Sequence, residues 1–282
     1  MIVGGGLCLL CYPWISNWLY SHSVDSEVEV YREQTEDRDH VELQEMLADA
    51  KKYNEQLKES RVALTDPFVF DEDPDTDLEY ESVLSLDESG LMCFVGIPKI
   101  NVNLPVYHGT SKEVLQKGVG HLEGSSLPVG GEGAHAVLSA HTGINSSKMF
   151  SDLPEMEEGD LFFIHVLDET LAYRVCSIQV ILPEDTSSLV PEEGRDLVTL
   201  ITCTPYGVNS HRLVVTGERT EYTDGLKEEA ERETSGSGSQ WMRVYRKALL
   251  IGLCVVAAVA VMIKLYKKTA ARKLKKEQRD PV

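Results

Sequence analysis

Between residues 90 and 219 the sequence breaks into short apolar and β-branched runs separated by turn residues. The runs fall at 91–97, 102–107, 134–140, 161–166, 171–182, 198–203 and 213–219. Seven or eight such strands in one domain leave many unpaired edges unless the sheet returns on itself, so the pattern predicts a closed or nearly closed β-barrel. The fold class is therefore mainly β with short helices. Residues 111–117 read as a short helix and 148–153 as a helical turn. No internal repeat is present.

Outside that region the composition changes sharply. Residues 242–282 hold 11 Lys and Arg against 2 Asp and Glu, out of 27 and 46 in the whole chain. The first 241 residues thus carry 16 basic and 44 acidic side chains, which argues against nucleic acid as a partner of the folded part. Residues 248–263 form an uncharged apolar run spanning about 24 Å as a helix, and snorkelling by Lys264 with extension through Tyr266 brings it to bilayer thickness. A basic tail, 267–282, follows and reads as cytoplasmic. Residues 2–20 are also uncharged and apolar, with Trp14, Trp18 and Tyr20 toward one end. Without a basic leader region or a small-residue cleavage site, they read as a retained N-terminal membrane helix. Two such helices place residues 21–242 outside the cell and both termini in the cytoplasm.

Four further segments lie between these landmarks. Residues 21–64 are polar, with Val41, Leu43, Met46, Leu47, Ala50, Tyr53 and Leu57 at about helical spacing, and predict an amphipathic helix laying one stripe on the domain. Residues 65–81 hold Asp66-Pro67-Phe68 and the acidic run DEDPDTDLEYE, whose spacing is not that of an EF-hand. Residues 82–220 form the barrel, and 221–242 a Glu-, Ser- and Gly-rich flexible linker leading to a membrane segment over 243–266.

The stretch 197–217, LVTLITCTPYGVNSHRLVVTG, carries the chemistry. A strand ending at Cys203, a Pro-Tyr-Gly turn and a second strand opened by Arg212 bring a thiol and a fixed cation to one sheet rim. Such a cation stabilises the thiolate. The residues alone leave a second reading open, in which Cys203 is a small buried hydrophobe and Arg212 a surface charge. Among the histidines, His211 adjoins Arg212 but points to the opposite strand face, His135 reads as structural, and His141 is one of several that could partner a nucleophilic cysteine, a choice the residues alone leave open. Cys93 and Cys176 have strand surroundings that suit a disulfide or simple core positions, and no CxxC pair suggests zinc.

TLITCTPYGVNSHR resembles the TLxTCxPxxxxxxR signature of the sortases, the cysteine transpeptidases of the Gram-positive cell surface. LSAHTG around His141 resembles a second element of that family, and Asp66-Pro67-Phe68 resembles the lid of the pilus-assembling class C sortases. The resemblance implies a sortase-type barrel with Cys203 as nucleophile, His141 as proton carrier and Arg212 holding substrate or oxyanion. Thr202 becomes an oxyanion or orienting contact. The lid would pair Asp66 with Arg212 through an exposed, weak ion pair and set Phe68 over Cys203, with Pro67 stiffening the segment.

By the same resemblance the substrate is an LPxTG-like sorting signal, cut through a Cys203 thioester. The acyl group passes to the lysine of another pilin subunit, with no metal or organic cofactor. A sortase anchoring surface proteins to a peptidoglycan precursor, and a non-catalytic membrane-anchored binding module, are the alternatives. A papain-type protease is disfavoured by the absence of CGSCW.

Overall fold

The computed structural model describes residues 2–60, 63–69, 77–142, 147–232 and 240–277. Residues 71–76 of the acidic run and Gly143 of LSAHTG lie outside the described residues. The chain divides into two compact units, residues 1–237 and 238–282.

In the first unit eight strands close a barrel in the order β1-β2-β3-β4-β7-β8-β6-β5. They are β1 (Leu91–Ile97), β2 (Val102–His108), β3 (Val119–His121), β4 (His135–Ser139), β5 (Leu161–Val166), β6 (Glu169–Ile181), β7 (Leu197–Thr204) and β8 (His211–Thr220). The seven runs read from sequence are all strands. The eighth, β3, has only three residues, too few to show a period. It pairs parallel to β2 because the helix α4 (Lys112–Lys117) carries the chain back between them. Ser111 caps that helix through a bond from Val114 N. The residues at 148–153 form turns, followed by a 3-10 turn at Leu153–Glu155.

Three helices dress the barrel, α1 (Ile2–Glu36), α2 (His40–Ser60) and α3 (Leu78–Ser82). The segment 21–64 is therefore not one helix: α1 runs unbroken out of the apolar N-terminal stretch to Glu36, and α2 follows. Leu43, Leu47 and Ala50 of α2 are buried on the barrel and Met46 and Tyr53 pack beside them. Val41 departs from the expected stripe and is 61% exposed. Tyr31 of α1 donates its hydroxyl to Met92 O at 3.0 Å and receives Leu167 N at 2.8 Å, so α1 is tied to β1 and to the turn between β5 and β6. This outer cover explains why β1 is buried almost throughout rather than on alternate residues. A close approach on β8 requires a glycine: a Cβ on Gly217 would lie 2.4 Å from the Phe162 ring.

Cys93 is a buried free thiol, as its strand predicts, whereas Cys176 is exposed and free, so neither a Cys93–Cys176 disulfide nor a core position for Cys176 holds. Cys176 sits at a β-bulge, where β6 shifts register against β8 and turns that side chain outward. After β8, helix α5 (Asp224–Arg232) packs Ala230 and Leu226 with Tyr222 on β5 and β6. The expected flexible linker over 221–242 is thus helical in its first part.

The second unit is helix α6 (Gln240–Glu277). Its portion Arg246–Lys268 is long and apolar enough to cross a membrane, and it is the one helix among the described residues that is.

Candidate active site

Strands β7 and β8 are antiparallel, and their register places Cys203 directly opposite Arg212. Side chains alternate along both strands. Leu200 and Val215 point into the barrel core, while Ile201 and Val214 belong to an outer apolar cluster. Cys203 and Arg212 continue the outer series, two residues on from Ile201 and back from Val214. Strand β4 runs parallel to β7 with Ser139 opposite Ile201, and Ala140 N extends the ladder to Ile201 O at 3.2 Å. Two residues further along the same register, His141 comes opposite Cys203. Three elements thus deliver the cysteine, histidine and arginine to one outer rim.

Thr202 points the other way. It is fully buried, and its hydroxyl donates to Ala140 O at 2.6 Å. That hydroxyl is committed to the backbone just before His141, which leaves the orienting role and removes the side chain as an oxyanion donor.

The segment 63–69 lies across this rim. Arg212 donates from Nε to Asp66 Oδ1 at 2.9 Å and from Nη2 to Asp66 Oδ2 at 2.7 Å, a two-pronged pair. Its Nη1 donates to Asn209 O and His211 O, both at 3.1 Å, so the guanidinium is fixed in plane. The pair is not the exposed one that sequence suggested: the Arg212 and Asp66 side chains are 9% and 6% exposed. Pro67 is buried, and Val69 N closes the turn on Asp66 O. The Phe68 ring sits 5.8 Å from the His141 ring and 5.0 Å from the Arg212 guanidinium. With Leu64, it packs on the outer cluster of Leu122, Val137, Leu189, Ile201 and Val214. Cys203 is 9% exposed.

Electrostatics follow from that cover. Burial pushes the Cys203 thiol up, with Arg212 opposing and the Asp66 carboxylate adding to the rise. Burial lowers the His141 pKa. The covered site therefore holds a neutral thiol and a neutral imidazole, not the thiolate that the neighbouring cation alone would favour. Arg212 still favours the thiolate, but burial outweighs it and Asp66 offsets part of its effect.

His135 links Val190 O (3.1 Å) to Thr199 Oγ1 (2.7 Å), which in turn meets Thr216 Oγ1 at 2.8 Å. This places His135 in the frame behind β7, away from the reacting rim, and gives the Thr199 of the signature a structural reason. His211 bonds the Ser210 hydroxyl outside the site. No cluster of His, Cys, Asp and Glu able to hold a metal occurs among the described residues. The outer apolar patch escaped the sequence reading. Its signal was present, since Ile201 and Val214 stand two residues from Cys203 and Arg212.

The sequence model of the Sortase domain matches residues 95–220. The chain is similar to sortase C-1 of Actinomyces oris, with 47% identity, 64% of this chain and 99% of that one covered, and a TM-score of 0.60. It is similar to Sortase C of Streptococcus pneumoniae, a structure described for its pilin substrate specificity, with 41% identity over 70% and 98% of the two chains and a TM-score of 0.64. Sortase A of Bacillus anthracis is 29% identical over 142 residues, which cover 50% of this chain and 66% of that protein. On a closed barrel, Cys203 and Arg212 pair across β7 and β8, and His141 follows β4 at the same end. The chain belongs to the sortase family, and its structural neighbours there are class C enzymes.

Proposed function

We propose that this protein is a membrane-anchored transpeptidase that cleaves an LPxTG-like sorting signal between Thr and Gly and joins the Thr carbonyl to a pilin lysine. The Asp66 carboxylate seated on Arg212, with Phe68 over the rim, carries this reading, because it marks an active site held covered until a substrate displaces the lid. Opening frees the arginine fork for a peptide carbonyl or its oxyanion by charge-assisted hydrogen bonds. Cys203 Sγ then attacks the Thr carbonyl carbon while His141 takes the thiol proton. The imidazolium so formed protonates the leaving Gly nitrogen as the C–N bond breaks. The lysine amine attacks the thioester, His141 accepts its proton, and the thiolate leaves and is reprotonated. The outer apolar patch suits the Leu and Pro of the signal. Thr202 steadies the strand end that bears His141.

Membrane attachment rests on α6, with the basic residues after Lys264 on the cytoplasmic side. A two-pass arrangement, with residues 2–20 as the other membrane helix and both termini cytoplasmic, completes the proposed topology. A competition assay tests the acceptor: full-length protein in detergent receives an LPxTG peptide with equal amounts of a lysine-bearing pilin and a peptidoglycan-mimicking amine. Pilin conjugate should dominate. Dominance of the peptidoglycan product would assign an anchoring sortase instead.

A further inference from the structure

Beside the apolar patch under the lid, strand β4 carries one buried polar side chain without a partner. Ser139 is fully buried, and its hydroxyl has no hydrogen-bond partner among the described residues. On β4 the outer-face series runs His135, Val137, Ser139, and His141 follows two residues on. Val137 lies in the patch covered by Leu64 and Phe68, and His141 lies against the Phe68 ring. Ser139 therefore stands on the covered floor, between the patch and the proton carrier. Its neighbours across the strands are Ile201 of β7 and Gly120 of β3, neither of which offers a polar side chain. Buried hydroxyls are nearly always paired, and an orphan in a native fold calls for a functional reason. Ser147 and Ser188 also hold unpaired buried hydroxyls, but neither stands on this strand face.

From this arrangement we infer that Ser139 is a substrate-binding residue whose hydroxyl pairs with the backbone of the sorting peptide close to the scissile bond. The inference rests on the transpeptidase reading and names a contact within it. A peptide laid on an apolar floor buries amide groups that need partners. A hydroxyl both donates and accepts, and can serve either an N–H or a C=O of the incoming chain. The lid supplies no such partner, since Leu64 and Phe68 cover the floor with apolar side chains. Ser139 is therefore satisfied by substrate and not by the lid, which biases the groove toward exchanging one for the other.

The test uses the full-length protein in detergent with the lid disabled by Asp66→Ala and Phe68→Ala, so that lid opening does not enter the rates. In that background Ser139→Ala should lower kcat/KM for an LPxTG peptide about five- to tenfold, the effect of one neutral hydrogen bond. Ser139→Thr, which keeps a hydroxyl, should recover most of the loss. Peptides with single backbone esters in place of amides then locate the partner. One replacement should cost the Ser139 enzyme activity and cost the alanine variant nothing further. Equal kcat/KM for the serine and alanine enzymes would overturn the inference. So would a loss in the alanine variant that leaves every ester penalty unchanged, since a purely structural defect would do that. Absence of any Cys203 adduct in the Ser139 enzyme would instead sink the transpeptidase reading, and this inference with it.

Discussion

Arg212 has two clients. Both prongs of its guanidinium go to Asp66, and burial foremost pushes up the pKa of the Cys203 thiol opposite it on β7. Replacing Asp66 by alanine removes a charge that raises the thiol pKa, lets water reach the sulfur and leaves Arg212 to stabilise the thiolate. The rate of Cys203 alkylation followed against pH should then inflect at lower pH, with at least a tenfold gain near neutrality. An unchanged profile would show that the lid does not govern the thiol. The pair itself is buried and two-pronged, so losing one partner strands the other charge, an effect on the order of 3–5 kcal/mol where water cannot enter. Opening the lid as a unit is gentler, because both charges return to water together. The sequence made the pairing of Cys203 with Arg212 across two strands legible through their spacing, and the resemblance singled out His141, but the protonation of the thiol was not legible, since it depends on burial in the folded chain.

At the scale of elements, the strand that sequence missed does much of the holding. His121 ends β3 fully buried; Tyr80 of α3 donates to its Nδ1 at 2.8 Å, and its Nε2 donates to Ser126 O at 2.8 Å. The bond to Ser126 O fixes a proton on Nε2, the Tyr80 hydroxyl serves the bare Nδ1 of the neutral ring, and burial lowers the pKa from 6.5 to about 4 against the pull of the Ser126 bond. The unfolded chain then binds more protons than the folded one between those values, so stability is present above pH 6.5 and is lost as pH falls toward 4. The loss attributable to this residue is at most about 3 kcal/mol. Denaturant midpoints at several pH values should fall steeply for the native protein and more shallowly for His121→Gln; parallel slopes would contradict the assignment. Tyr80 also receives Gly109 N at 2.9 Å, so α3 fastens the far end of the lid segment to β2 and β3. The seven longer strands were legible because apolar, β-branched runs persist over five or more residues. β3 was not, because its three residues are set by the parallel pairing that α4 imposes. The helical stripe on α2 was legible for Leu43, Leu47 and Ala50, whose burial its period dictates. Val41 lies beyond the contact.

Across the whole molecule, an acidic catalytic unit is joined to a basic, membrane-length helix, and the charge asymmetry sets the proposed orientation. Exposed Cys176 gives a native reporter for it. In intact cells a membrane-impermeant maleimide should label Cys176, whereas Lys275→Cys in a Cys176→Ser background should react only after lysis. Labelling of the position 275 thiol in intact cells would reverse the topology. The barrel was legible from strand number and punctuation, since closure is the simplest way to leave no open edge. The continuous helix from the N-terminal stretch into the barrel contacts was not, because a change from apolar to polar composition carries no signal of whether a helix stops.

The central claim is that Cys203 forms a thioester with a sorting peptide and yields it to an amine. Intact-mass spectrometry of the full-length protein, carrying Asp66→Ala and Phe68→Ala to open the site and incubated with an LPxTG peptide, tests it most directly. The account predicts an added mass equal to the peptide up to Thr, carried on Cys203, absent in Cys203→Ala and discharged as a new amide when a lysine amine is supplied. An unmodified Cys203 in the opened protein would contradict it and leave a membrane-anchored barrel that binds without turnover.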